Sequence, residues 1–131
     1  MADFVLDTHA LVFALTAPRK LGPAARSALA QVEQGEGTAW MPAAVVAEIV
    51  LLRELGRIGI GLPELSVAME GAPCLRFLPL DLRQIDEFAA HSAIRDPFDR
   101  LILSAARVMQ AGLVTKDLAL KKTGLVKTIW S

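Results

Sequence analysis

The chain has a single cysteine, no excess of either charge and no apolar run of membrane length, and each shortage removes a class of explanation. Cys74 has no partner for an internal disulfide, which suits a reducing compartment. It sits in a Gly-Ala-Pro-Cys loop with no histidine near it in sequence, the setting of an inert thiol rather than a nucleophile. No zinc-ligand spacing occurs, and His9 and His91 read as packed or surface imidazoles. No apolar run reaches the roughly 18–20 residues a membrane span needs. The first residues lack a basic region followed by an apolar core, so no signal peptide is expected and a cytoplasmic location is. Fourteen basic and fourteen acidic residues cancel. A protein that holds nucleic acid by bulk charge is more basic than this. Any positive field toward a polyanion must therefore be local, or come from a metal or a second subunit. Repeats, low-complexity stretches and dividing linkers are also missing.

What remains is an apolar globular chain: 131 residues, 53% of them hydrophobic, with a mean hydropathy of +0.44. That length suits one domain, residues 1–131, burying roughly two-thirds of the surface of its unfolded form. Strand-like and helix-like patterns alternate along it. Phe4 to Leu6 reads as a strand, His9 to Leu15 as a short helix, Pro18 to Gly22 as a basic turn, and Pro23 to Gln34 as an amphipathic helix with Ala24, Leu29 and Val32 inward. Thr38 to Met41 is a second strand, followed by a helix from Pro42 to about Leu55, a glycine-rich stretch from Gly56 to Pro63, and a helical turn from Leu65 to Met69. Leu75 to Leu80 is a third strand, and Leu82 to Ala93 a helix with Ile85, Phe88 and Ala89 inward. Asp96-Pro97 is a helix start, Leu101 to Met109 continues it at helical spacing, and Gly112 is the expected stop. Leu113 to Thr115 is a further strand, and Lys127 to Trp130 an edge strand. Helical crossovers of this length join parallel strands, so the expected fold is a single-domain α/β/α sandwich with a mostly parallel central sheet.

The acidic residues stand at informative places. Asp7 directly follows the first strand and Asp117 comes two residues after the strand at Leu113 to Thr115; each reads equally as an N-cap or as a group at the strand ends, where open α/β sheets place ligand chemistry. Asp96 is an N-cap before Pro97; Asp99, three residues on, can bond back to the cap or favour the positive helix end, and Arg100 can pair with Asp96. Glu48 is different. It sits in Val-Val-Ala-Glu-Ile-Val-Leu-Leu, where no cap is needed, and burying an unpaired carboxylate is expensive, so it calls for a partner or a polar cleft. Carboxylates converging from separate elements repel one another unless a hard divalent cation stands among them. Magnesium is held by one or two carboxylates and waters, and such a site activates water against a phosphodiester.

These residues carry a resemblance. VLDTHAL at the first strand, VAEI in the third helix, RDPFDRLI at the last long helix and LVTKD at the following strand resemble, in order and spacing, PIN-domain proteins of the VapC toxin type, from type II toxin–antitoxin systems. The likeness spans nearly the whole chain. It implies a PIN-like fold and a magnesium- or manganese-dependent endoribonuclease whose catalytic acids are Asp7, Glu48, Asp99 and Asp117, with Asp7, Asp99 and Asp117 on the metal. Asp96 then becomes a cap or a group behind the ligands, and Thr8 and Thr115 position a metal water or phosphate. Arg95, Arg100 and Lys116 flank the motifs and read as phosphate guides or solvated charges. The resemblance further implies an RNA substrate, a homodimer and a cognate antitoxin filling an apolar groove, expected around Val45 to Leu55. Two other readings share parts of the pattern: a structure-specific DNA nuclease of the flap or 5′-exonuclease kind, which uses the same carboxylate–metal logic, and a non-catalytic phosphoacceptor domain with Asp7 or Asp99 as acceptor. The first lacks an arch or DNA clamp here, and the second leaves Glu48 unexplained.

Overall fold

Five parallel strands set the frame, in the order β3-β2-β1-β4-β5. The computed structural model describes residues 2–131. The strands are β1 (Ala2–Leu6), β2 (Gly37–Pro42), β3 (Leu75–Leu78), β4 (Gly112–Val114) and β5 (Thr128–Ile129). Seven α-helices flank them: α1 (Thr8–Thr16), α2 (Pro23–Glu33), α3 (Ala43–Glu54), α4 (Leu62–Gly71), α5 (Leu82–Ala90), α6 (Pro97–Met109) and α7 (Leu118–Lys122). The basic turn at Pro18–Lys20 is a 3₁₀ helix. The α/β sandwich read from the alternating pattern is the fold observed.

The central strands are short and apolar because both their faces are covered. Val5, Leu6, Leu113 and Val114 are almost wholly buried, as parallel strands between two helical layers must be. Each such side chain contributes roughly 1.5–3 kcal/mol by leaving water. β1 pairs with β2 on one side (Phe4 opposite Ala39) and with β4 on the other (Leu6 opposite Val114). The chain therefore runs outward from β1 through β2 to β3, then crosses back over β1 to lay down β4 and β5. The order reverses between β1 and β4, and at such a switch point the crevice beyond the strands' carboxyl ends is open for a ligand.

Several local expectations shift. Gly112 does not stop α6; the stop is Gln110, in the left-handed region at φ 52°, while Gly112 opens β4, where a Cβ would meet the Ile129 side chain at 2.6 Å. α4 is longer than a turn, starting at Leu62 inside the stretch that reads as glycine-rich loop. β3 ends at Leu78, ahead of Pro79, which has no N–H for a ladder, and α5 ends at Ala90 rather than Ala93. The inward face of α5 also differs: Gln84 is the buried residue, its amide donating to the Pro79 carbonyl at 2.8 Å, whereas Ile85 and Ala89 are exposed and Phe88 half-buried. In α2 the buried positions are Ala25, Ala28 and Val32, with Ala24 and Leu29 at the margin.

One close approach ties the last strand down. The Trp130 carbonyl accepts from the Ala25 amide at 3.1 Å at the start of α2, and a Cβ on Gly22 would lie 2.2 Å from that carbonyl oxygen. Only glycine leaves room for this contact.

Candidate functional site

Four elements each deliver a carboxylate to the switch-point crevice. Asp7 leaves β1 in an extended conformation and N-caps α1, one oxygen accepting from the Ala10 amide at 2.8 Å. Asp117 follows β4 and caps α7, one oxygen accepting from the Ala119 and Leu120 amides at 2.8 and 3.3 Å. Asp96 caps α6 by accepting from the Asp99 amide at 3.0 Å, which puts Asp99 in the first turn of that helix with its side chain free of the cap. Glu48 comes from the middle of α3, half-buried, and accepts a hydrogen bond from the buried Thr8 hydroxyl. Capping thus uses a single oxygen of each capping aspartate, and the Thr115 hydroxyl also bonds to the Asp7 carboxylate.

All four acids line one cleft of about 430 Å³, together with Thr8, His9, Asp96, Ile102 and Lys116. The electrostatics of the cleft are unrelieved. Among the described residues the ion pairs are His91–Glu87 and Arg107–Glu87, so no cationic side chain lies within pairing distance of any acid of the cleft. Asp99 shows the consequence: burial first, then the charges of Asp96, Asp117, Glu48 and Asp7, push its carboxyl up to about 6. Burial likewise raises Asp7, against the pull of the Thr115 hydroxyl, the Ala10 amide and His9; Asp117 adds to the rise. Two carboxyls pushed toward their neutral forms, first by burial and then by the charge of neighbouring carboxylates, mark a candidate functional site. Among the described residues no three His, Cys, Asp or Glu side chains close tightly around a point. The acids ring the cleft, leaving room for waters between them.

Other residues flagged in the sequence fall elsewhere. Thr115 is buried behind the cleft, its hydroxyl accepting from the Asp117 amide at 3.0 Å, so it shapes the turn that carries Asp117. Arg95 is exposed and outside the cleft lining. Arg100 does not pair with Asp96. Its Nε donates to the Phe88 carbonyl at 2.7 Å and its guanidinium covers the Phe88 ring at 3.9 Å, so it joins α6 to α5. Conversely, His9 and Ile102 belong to the cleft although sequence reasoning set them aside. Spacing held the signal for both: His9 lies in the first turn of the helix that Asp7 caps, and Ile102 lies three residues from Asp99 on one helix face.

The PIN domain family model matches residues 4–125, the span that carries every residue of the cleft. The chain is a PIN-domain protein. Solved structures similar to this PIN domain include VapBC2 from Rickettsia felis bound to a DNA fragment from its promoter, at a TM-score of 0.72 and 17% identity over 98% of this chain and 99% of that one. DNA-bound VapBC from Salmonella typhimurium gives a TM-score of 0.70 at 15% identity, covering 98% of this chain and 97% of that one. FitAcB from Neisseria gonorrhoeae gives 0.64 at 18%, covering 95% of each. At these identities the likeness is one of fold. No curated protein sequence matches the chain.

The apolar groove expected at Val45 to Leu55 is not where this PIN domain has its apolar cleft. Val45 and Ile49 are buried in the core, and Leu51 and Leu55 stand exposed toward the C-terminal end of α3. A cleft of about 120 Å³ lies instead among α1, α2 and α4, with Leu11, Leu15, Leu29, Val32 and Ala68 in its walls.

Proposed function

We propose that this PIN domain is a divalent-metal-dependent endoribonuclease and the toxin of a toxin–antitoxin pair. The observation that carries the reading is the set of unpaired carboxylates from β1, α3, α6 and the β4–α7 turn around one cleft, with Asp99 pushed up to about 6 by burial and by the neighbouring carboxylates. PIN domains are typically nucleases that use divalent metal ions. The donor set suits magnesium or manganese: all-oxygen, anionic, with each capping aspartate using a single oxygen for its cap and space for waters in the cleft. When bound, the ion supplies positive charge opposite the scissile phosphate and lowers the pKa of a water.

The residues divide the remaining work. Asp7, Asp99 and Asp117 hold the ion, each fixed by the helix start it caps or occupies. Thr8 presents Glu48 by donating to one of its oxygens, leaving the other to accept a proton from a water in the cleft. Lys116, exposed at the rim, meets a phosphate oxygen of the strand being cut. Asp96 sets the α6 cap and, through its charge, keeps Asp99 dependent on a cation.

VapBC and FitAcB, which share this fold, are toxin–antitoxin complexes, and this supports the antitoxin half of the proposal. An apolar helix of the antitoxin would occupy the α1–α2–α4 cleft, and exposed Phe77, Leu80, Leu82 and Ile85 offer a face for a second copy in a homodimer. The test is cleavage of single-stranded RNA against DNA of the same sequence with magnesium and then with a chelator. Cleavage of RNA alone, lost in chelator, supports the proposal; preference for DNA replaces it with a structure-specific DNA nuclease.

A further inference from the structure

Beside the acidic cleft runs a ledge of aromatic rings and lysines that the carboxylate chemistry does not use. Along α1, His9 and Phe13 stand one turn apart with ring centroids separated by 6.1 Å, and Trp130, just after β5, continues the row at 6.3 Å from Phe13. Two ammonium groups converge on the same ring: Lys116 Nζ lies 5.1 Å and Lys20 Nζ 5.5 Å from the Phe13 centroid. A ring face attracts one cation, but two ammoniums over a single ring repel each other. No carboxylate relieves them, since the ion pairs among the described residues both lie on Glu87. A second cavity of about 100 Å³ adjoins the first, sharing Lys116 and Asp117 with it and adding Lys121 and Trp130. The ledge therefore begins inside the acidic cleft, at His9 and Lys116, and leads away from it.

We infer that this ledge is the path of the RNA strand next to the scissile phosphate, with bases stacked singly on the His9 and Trp130 rings, each tilted against Phe13, and neighbouring phosphates taken by Lys20, Lys116 and Lys121. The inference rests on the ribonuclease reading above and adds where the strand lies. Single strands are bound by this combination, because every base has a face to stack and every nucleotide brings one phosphate. It also answers the charge question: a chain of zero net charge holds a polyanion where lysines cluster without being ion-paired among the described residues. The platform is rigid. The Trp130 backbone is held by the Ala25 amide and Ile129 by the Thr115 amide, so the ring is presented by the fold and not by a loose tail.

The test uses the intact chain in chelator, where no cutting occurs, with a fluorescein-labelled 10-nucleotide oligouridylate as probe. Lys20→Gln and Lys121→Gln are each expected to weaken binding about 3- to 10-fold at low salt and to lower the slope of log K against log salt by about 0.7. Trp130→Leu is expected to weaken it about 5-fold or more, with Trp130→Phe restoring most of the loss. Because Trp130→Leu can disturb the fold, a Trp40→Phe background supplies an independent readout: Trp130 fluorescence falls as the oligonucleotide is added. With magnesium, Lys20→Gln raises KM and leaves kcat near its original value. Unchanged affinity in both lysine variants, or no response of Trp130, overturns the inference while RNA cleavage by the parent chain leaves the ribonuclease reading standing. Absence of RNA cleavage by the parent chain overturns that reading instead. Equal binding of a deca-glutamate peptide, lost in the same variants, also overturns the inference, by assigning the ledge to an acidic protein segment.

Discussion

Removing the charge of Asp99 is expected to make the metal-free protein more stable while abolishing cleavage. The Asp99 carboxyl is raised from 3.8 to about 6, so at neutral pH the folded chain carries a charge that its surroundings resist. A rise of that size corresponds to roughly 3 kcal/mol at about 1.4 kcal/mol per pH unit. Asp99 is only partly buried, and screening by water reduces this to about 1–1.5 kcal/mol. For a raised carboxyl, stability is fully present below the unfolded value near 4 and is lost as pH climbs through about 6. Asp99→Asn lacks that titration. In chelator at pH 8 its melting temperature is expected about 3–6 °C above the parent chain's, a gap that closes as pH falls toward 4. Excess magnesium should reverse the order, because an ion at 100 times its Kd adds about 2.7 kcal/mol to the parent chain and little to the variant. A variant less stable than the parent at pH 8 in chelator, or a gap independent of pH, would refute this reasoning.

Other consequences are more local. Thr8→Val removes the donor to Glu48 and leaves its oxygen unpartnered, so the folded chain should lose about 1–2 kcal/mol in denaturant titration and cleavage should fall about 10-fold. Gly22→Ala drives a methyl into the Trp130 carbonyl and should cost about 1–3 kcal/mol, read as a lower melting temperature, with protection of the Ala25 amide lost in hydrogen exchange. Leu15→Asp places a charge in the α1–α2–α4 cleft, and a pull-down with the product of the adjacent small gene should lose its signal while RNA cleavage persists.

The parts of the fold that can be read in the sequence are those specified within a few residues. Asp96-Pro97 marks the start of α6 because cap and proline act on adjacent amides, and the period of Leu101 to Met109 is a property of one helix. β1 and β4 show as short apolar runs closed by an acid. Asp7, Glu48, Asp99 and Asp117 were legible as candidates for the same reason, each conspicuous in its own segment. What joins segments was not legible. Glu48 called for a partner, and the partner is a hydroxyl 40 residues away rather than a cation. Arg100 had Asp96 one turn behind it, yet it reaches 12 residues back to the Phe88 carbonyl and ring. α5 reads as a helix with Ile85 inward, but its edge position lets Gln84 face in once the Pro79 carbonyl satisfies its amide. The adjacency of β1 and β4, which creates the crevice, depends on a pairing between residues more than a hundred positions apart.

The proposed activity has the ring of carboxylates working through a divalent ion to cut RNA. Its most direct test is the cleavage of a labelled single-stranded RNA by the parent chain and by Asp7→Asn, with magnesium, with manganese and with chelator. Internal cleavage by the parent chain with either ion, none in chelator, and none by a folded Asp7→Asn is the result expected. Full divalent-dependent activity in Asp7→Asn, or undiminished cleavage by the parent chain in chelator, would contradict the account.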